Sequence, residues 1–170
     1  MGKGNLKEKY KYPMDKLTEM TKLELKDRGV EIEDIASIVF VLQSKYYEGL
    51  TMELCIDAVE RVLEKREVVH AVLTGIEIDR QVEKGNIKEP IASIIRSDEG
   101  LYGIDEILPL SIVNIYGSIG LTNYGYLDKE KIGIIKELDN AKEGSVNTFL
   151  DDIVCALAAS AASRLAHGKR

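Results

Sequence analysis

Two pairs of adjacent carboxylates stand out in this sequence of 170 residues. Asp105 and Glu106 lie in the stretch IDEIL, and Asp151 and Asp152 in LDDIV. Each pair is flanked on both sides by aliphatic residues, and each opens an apolar stretch that reads as a helix. Gathering such carboxylates inside a fold is costly, because two like charges about 4 Å apart repel by about 4 kcal/mol at an effective dielectric of 20. A shared proton, a cationic partner or a divalent metal relieves that repulsion. Ligands that are all oxygen suit Mg²⁺ or Mn²⁺ rather than zinc. Such an ion typically serves phosphoryl chemistry, bridging phosphate oxygens and activating water. A second reading needs no ligand. Acidic residues in a first helical turn complement the helix dipole, and Asp151 suits the third helical position of a capping box begun by Thr148. Both readings stand for each pair taken alone; two such pairs on separate apolar helices lean toward metal.

Other residues carry weaker signals. Asp128 and Lys131 are three apart and share a helix face, where a surface ion pair is the plain alternative. The glycines of YGSIGLTNYG, residues 116–125, would let a phosphate approach backbone N–H groups at a helix start, although no Walker pattern is present. Glu53/Asp57 and Glu60/Glu64 have helical spacing but read as a solvated face. His70 reads as a surface or hydrogen-bonded residue rather than a ligand.

The element that must position the second pair is the last one, Thr148 to His167. It has almost no polar face: Leu150, Ile153, Val154, Leu157, Ala161 and Leu165 fill one side, and Cys155, Ala156, Ala159, Ser160, Ala162 and Ser163 cover the rest. A helix that is apolar or small all round is buried on all sides. It is therefore expected to be central, wrapped by other helices. Before it, helices are expected from Pro13 to Gly29, over 32–46, over 51–65 with Thr51 as N-cap, and over 66–84. Gly75 within the last of these costs about 1 kcal/mol against Ala, which points to close packing there. A short helix follows Pro90. An apolar helix carries Asp105 and Glu106 with Pro109 in its first turns, another covers 118–134, and 135–147 is a charged connection with a turn of helix near Asp139. Strand signals are weak, so the fold class is all-α. Residues 1–12 form a flexible polar tail, and 13–170 a single domain, a size that supports a real core.

The net charge of −6 argues against a nucleic-acid partner. Cys55 and Cys155 sit in apolar helical patterns and read as buried free thiols of a reducing compartment. The charged N-terminus has no signal-peptide core, and Leu6 stands where a myristoylation signal wants Ser or Thr. No uninterrupted apolar run approaches the roughly 18 residues of a membrane span; the longest is taken to lie within 153–163. A cytoplasmic protein is expected, with at most peripheral membrane contact through the basic tail. The small-residue helix also raises the expectation of a homo-oligomer.

In their order along the chain, these residues resemble the phosphatidylglycerophosphatase A family. The resemblance covers about 103–159. It consists of the apolar helix with Asp105-Glu106, Asp128 followed three residues on by Lys131, then Asp139, then Gly144 leading into Leu150-Asp151-Asp152-Ile153. The chain looks most like the soluble, YutG-like branch of that family, a resemblance that implies a C-terminal central helix surrounded by about five other helices. The resemblance implies a Mg²⁺-dependent (or Mn²⁺-dependent) phosphatase that removes the terminal phosphate of phosphatidylglycerophosphate, with a phosphorylated lipid or small phosphoester as substrate. It implies Asp105, Glu106, Asp151 and Asp152 as metal ligands, Asp128 and Asp151 as catalytic groups, and Lys131 as a phosphate-binding group. Asn123 and Asp139 join Lys131 as candidate substrate-binding residues. The family's membrane enzymes have Arg where Gly125 stands, Pro where Ile132 stands, and a Gly-Thr-rich N-terminal motif with no obvious counterpart here. Two other classes remain: an all-α Mg²⁺-dependent hydrolase of nucleotides or other small phosphoesters, and a non-catalytic regulatory protein on the same fold.

Overall fold

The computed structural model of the protein describes residues 10–140 and 143–168. Among these it contains nine α-helices and no strand. They are α1 (Met14–Asp27), α2 (Ile32–Gln43), α3 (Met52–Leu63), α4 (Arg66–Glu83), α5 (Ile91–Arg96), α6 (Ile104–Val113), α7 (Gly117–Glu130), α8 (Ile134–Asp139) and α9 (Leu150–His167). The all-α reading is correct. Most of the expected tail, 1–9, lies outside the described residues.

Helix α9 is the centre. Every residue from Leu150 to Ser163 is buried. Around it pack α2, α3, α4, α6, α7 and α8, while α1 and α5 lie against α4. The small residues of α9 do what such residues allow, bringing several helices close to one axis. Because the 150–163 stretch is enclosed within one protomer, it offers no face to a second copy.

Thr51 caps α3 as expected, its hydroxyl accepting from Leu54 N at 3.3 Å. Thr148 does not cap α9. Helix α9 begins at Leu150, and the Thr148 hydroxyl instead donates to the Ile95 carbonyl of α5 at 2.5 Å. The capping acceptor comes from another helix: the Asp79 carboxylate of α4 accepts from Phe149 N at 3.1 Å and from Leu150 N at 3.0 Å. These are two of the donors that a helix start leaves unpaired. The approach to α9 is further held by Arg28, which forms a two-pronged pair with Glu83 at 2.7 and 2.9 Å and donates to Val146 O at 2.6 Å. Glu83 also accepts from Val146 N.

Gly75 is where α4 meets α9. A Cβ there would stand 2.2 Å from Ile153 Cδ1 and 3.3 Å from Phe149 Cβ, the close approach that the sequence anticipated. Ala is expected to be nearly neutral, because Ile153 Cδ1 is a chain end that can rotate and Ala gains about 1 kcal/mol of helix propensity. Gly75→Leu has no such outlet and should destabilise by about 2–3 kcal/mol, read from urea denaturation.

Helices α6 and α7 form a hairpin. Val113 runs into a single 3-10 turn at 114–116, and the chain reverses at Gly117, whose φ of +73° favours glycine. Taken by length and composition alone, 104–130 is long and apolar enough to cross a membrane, and 28% of its most apolar part is buried. This corrects the expectation that no stretch qualifies: the stretch is not an unbroken apolar run but is dilute and interrupted by polar residues. The hairpin bends it into legs of 10 and 14 residues, each shorter than the roughly 30 Å of a bilayer core at 1.5 Å per residue.

Candidate active site

The hairpin decides what the carboxylates face. Asp105 and Glu106 open α6, Asp128 and Lys131 close α7, and Asp151 and Asp152 open α9. All six line one small polar pocket of about 160 Å³, joined by Asp98, Glu99 and Gly100 from the turn after α5 and by Asp139 from the end of α8. Five segments thus deliver acidic groups to one place. Asp98, Asp139 and Asp151 also line an adjoining cleft of about 530 Å³, whose other walls include Arg96, Asn140 and the 143–148 approach to α9.

Lys131 is the cation at the centre. Its Nζ donates to Asp151 Oδ2 at 2.8 Å and to Asp128 Oδ1 at 3.1 Å, and stands 3.5 Å from Asp152 Oδ1. Its backbone is left-handed, with φ of +48°, so α7 ends at Glu130 rather than continuing to 134. A non-glycine residue held in that region is uncommon and strained. The strain places the ammonium among three carboxylates. Asp98 is held the same way, also with φ of +48°.

Burial dominates the electrostatics. It raises the Asp151 and Asp152 carboxyls above the ordinary aspartate range; Lys131 opposes the rise in both, while Asp98 adds to it at Asp151 and the neighbouring charge of Asp151 adds to it at Asp152. Asp105 is raised by burial, with Asp98 and Glu106 adding to it, and Asp98 is raised by burial with Asp139 and Asp128 adding. Lys131 is raised despite its own burial because Asp151 and Asp152 favour the charged form. Asp105 Oδ1 and Asp152 Oδ1 are buried and accept no hydrogen bond, although Lys131 Nζ stands 3.5 Å from the second. Asp152 N donates to Asp151 Oδ1 at 2.8 Å, a local bond that fixes the first carboxylate against its own helix.

A model of the family described as phosphatidylglycerophosphatase A matches residues 29–167. The chain belongs to that family. The chain is 60% identical to YpjQ of Bacillus subtilis over 157 residues, covering 92% of this chain and 88% of YpjQ. It is 57% identical to YutG of the same organism over 146 residues, covering 86% of this chain and 88% of YutG. Both relatives are described as uncharacterized. The crystal structure of low temperature requirement C protein from Listeria monocytogenes superposes with a TM-score of 0.87 at 57% identity, covering 90% of this chain and 96% of that one.

Within this phosphatidylglycerophosphatase A fold, Asp105, Glu106, Asp128, Lys131, Asp139, Asp151 and Asp152 all reach the pocket. Asn123 does not line it; it lies on α7 with its Nδ2 buried and unpartnered. Glu60 pairs with Lys22 at 2.8 Å, Asp57 with Arg61 at 3.5 Å and Glu64 with Arg61 at 3.2 Å, the solvated face that the sequence suggested. His70 is exposed, and Cys55 and Cys155 are buried and free.

Sequence reasoning missed Asp98, Glu99, Asp79 and the Arg28–Glu83 pair. Asp98 and Glu99 stand just before Gly100, in SDEG, and a turn at that place is legible, but nothing in it says which way a side chain faces. Asp79 is one acid in the mixed run EIDRQ, and only the fold reveals that it meets the start of α9.

The chemistry of the donor set fits a divalent ion: hard carboxylate oxygens, two of them buried and accepting no hydrogen bond. Its spacing is open, since no three acidic, histidine or cysteine side chains among the described residues converge as a metal-binding group. Lys131 stands between them and supplies the neutralising charge.

Proposed function

We propose that the protein is a divalent-metal-dependent phosphatase of phosphomonoesters, with the terminal phosphate of phosphatidylglycerophosphate as the first substrate to examine. The observation that carries this reading is the pocket where acidic groups from five segments surround one strained lysine and two buried oxygens accept no hydrogen bond. Family membership supports the reaction class. Mg²⁺ or Mn²⁺ would supply Lewis-acid stabilisation of phosphate charge and a more acidic water. Asp105, Glu106, Asp151 and Asp152 would hold the ion, and Lys131 would pair with the phosphate oxygens. Asp128, paired with Lys131 and beside Asp152, is placed to hold or accept a proton at the pocket. The polar cleft beside the pocket, with Arg96 and Asn140, has room for the remainder of a headgroup.

The test is phosphate release from phosphatidylglycerophosphate in mixed micelles, with and without Mg²⁺, for the native protein and for Asp152→Asn. Metal-dependent release that falls at least about 10²-fold in the variant supports the reading. Release only from soluble monoesters would keep the site and replace the lipid. No release, together with no rise in melting temperature on adding Mg²⁺ or Mn²⁺, would overturn the enzyme reading in favour of a non-catalytic protein.

A further inference from the structure

The other end of α9 has chemistry of the opposite sign. A groove of about 710 Å³ lies there, with Leu54, Ile115, Tyr116 and Leu165 in its walls and Arg164 and His167 from the last turns of α9. Neither the Arg164 guanidinium nor the His167 ring has a hydrogen-bond or ion-pair partner among the described residues. Outside the lining, Lys65 Nζ stands 5.8 Å from the centre of the Tyr116 ring. The carboxylate in the lining, Asp57, is already paired with Arg61 at 3.5 Å. The groove is thus locally cationic in a chain of net charge −6. Basic residues in a final helical turn complement the helix dipole, which accounts for their presence but not for the open apolar walls beside them. Apolar walls with one or two convergent charged groups are the usual make-up of a small-molecule site.

We propose that this groove binds a small amphiphilic anion: a phosphate or carboxylate head that pairs with Arg164 and His167, and a short alkyl or aryl body that lies on Leu54, Ile115 and Leu165. The head pairs with Arg164 through two parallel N–H···O bonds, the geometry that guanidinium favours for such groups. The site is separate from the acidic pocket, because the two lie at opposite ends of α9.

The experiment is a calorimetric titration of the full chain with octyl phosphate, kept below its micelle concentration and in EDTA so that no divalent ion occupies the acidic pocket. Saturable one-to-one binding is expected. It should weaken at least tenfold in Arg164→Glu and recover in part in Arg164→Lys, and Asp151→Asn should leave it unchanged. Octanol should bind at least tenfold more weakly than octyl phosphate. An unchanged melting temperature for Arg164→Glu would show that the variant folds; Arg164→Gln serves if it does not. The proposal is overturned if octanol binds equally well, if Asp151→Asn abolishes binding, or if no saturable binding occurs. It is also overturned if sedimentation shows a dimer that Arg164→Glu dissociates, since a second copy would then cover the groove. Failure of these arms leaves the phosphatase reading untouched, because they use no catalysis.

Discussion

Replacing Lys131 with Met is expected to abolish phosphate release and to destabilise the protein at neutral pH. The activity should fall by at least about 10²-fold, the scale for removing one preorganised positive donor from developing negative charge. The stability loss has a separate cause. Lys131 Nζ is the cation paired with Asp128 and Asp151 and near Asp152. Deleting one partner of a largely buried ion pair leaves the others uncompensated, at a cost of about 3 kcal/mol. Burial already raises the Asp151 and Asp152 carboxyls, and Lys131 is what holds that rise in check, so the variant raises them further. The sign follows. A carboxyl raised in the folded state contributes stability at pH values below its unfolded pKa, and loses it as pH rises through the folded pKa. The deficit of the variant should therefore shrink as pH falls from 7 toward 5. Thermal melts across that range check it; a deficit constant with pH would mean that Lys131 acts by packing alone.

Asp79→Ala is expected to produce the largest purely structural effect. It leaves the buried N–H groups of Phe149 and Leu150 without an acceptor and removes the cap of the central helix. The loss should be about 3 kcal/mol, combining a cap with unsatisfied buried donors. For a domain of this size that is roughly 6–12 °C in Tm. Burial pushes the Asp79 carboxyl up to about 8, against the pull of the two N–H groups and Arg28. Its contribution is therefore greatest at acid pH and is lost as pH rises through about 8. Asp79→Asn keeps an acceptor and cannot ionise, so it should flatten the native protein's decline in Tm as pH rises from about 4 to about 8, while costing far less than Ala. An equal decline in Asp79→Asn would assign that slope to other groups.

The fold and the site were legible in the sequence to different depths. The burial of α9 could be read because a helix without a polar face has one physical solution. The two acidic pairs could be read because carboxylates among aliphatic residues conflict with local preference. The convergence of the pairs could not, because it depends on the α6–α7 hairpin, which is set by a backbone reversal at Gly117 and not by any periodicity. Thr148 misled for a related reason. Its local pattern offers a cap, but the Ile95 carbonyl competes for the hydroxyl and the Asp79 carboxyl supplies an acceptor from across the core. Lys131 read as half of a surface pair because spacing along a helix cannot reveal that the helix ends there.

The central position of α9 also bears on biogenesis. It follows every other described helix in the order of translation, yet α2, α3, α4, α6, α7 and α8 all pack against it. Until it emerges, the faces they turn toward it stay uncovered, although α2 and α3, and α4 and α6, also pack on each other. At about 5–20 residues per second, the 18 residues of α9 take roughly 1–4 s to make. During that interval the nascent chain exposes those faces to holdase chaperones. A synonymous codon change that slows the ribosome within α9 should therefore lower the soluble yield more than the same delay placed in α1, although the finished protein would be identical.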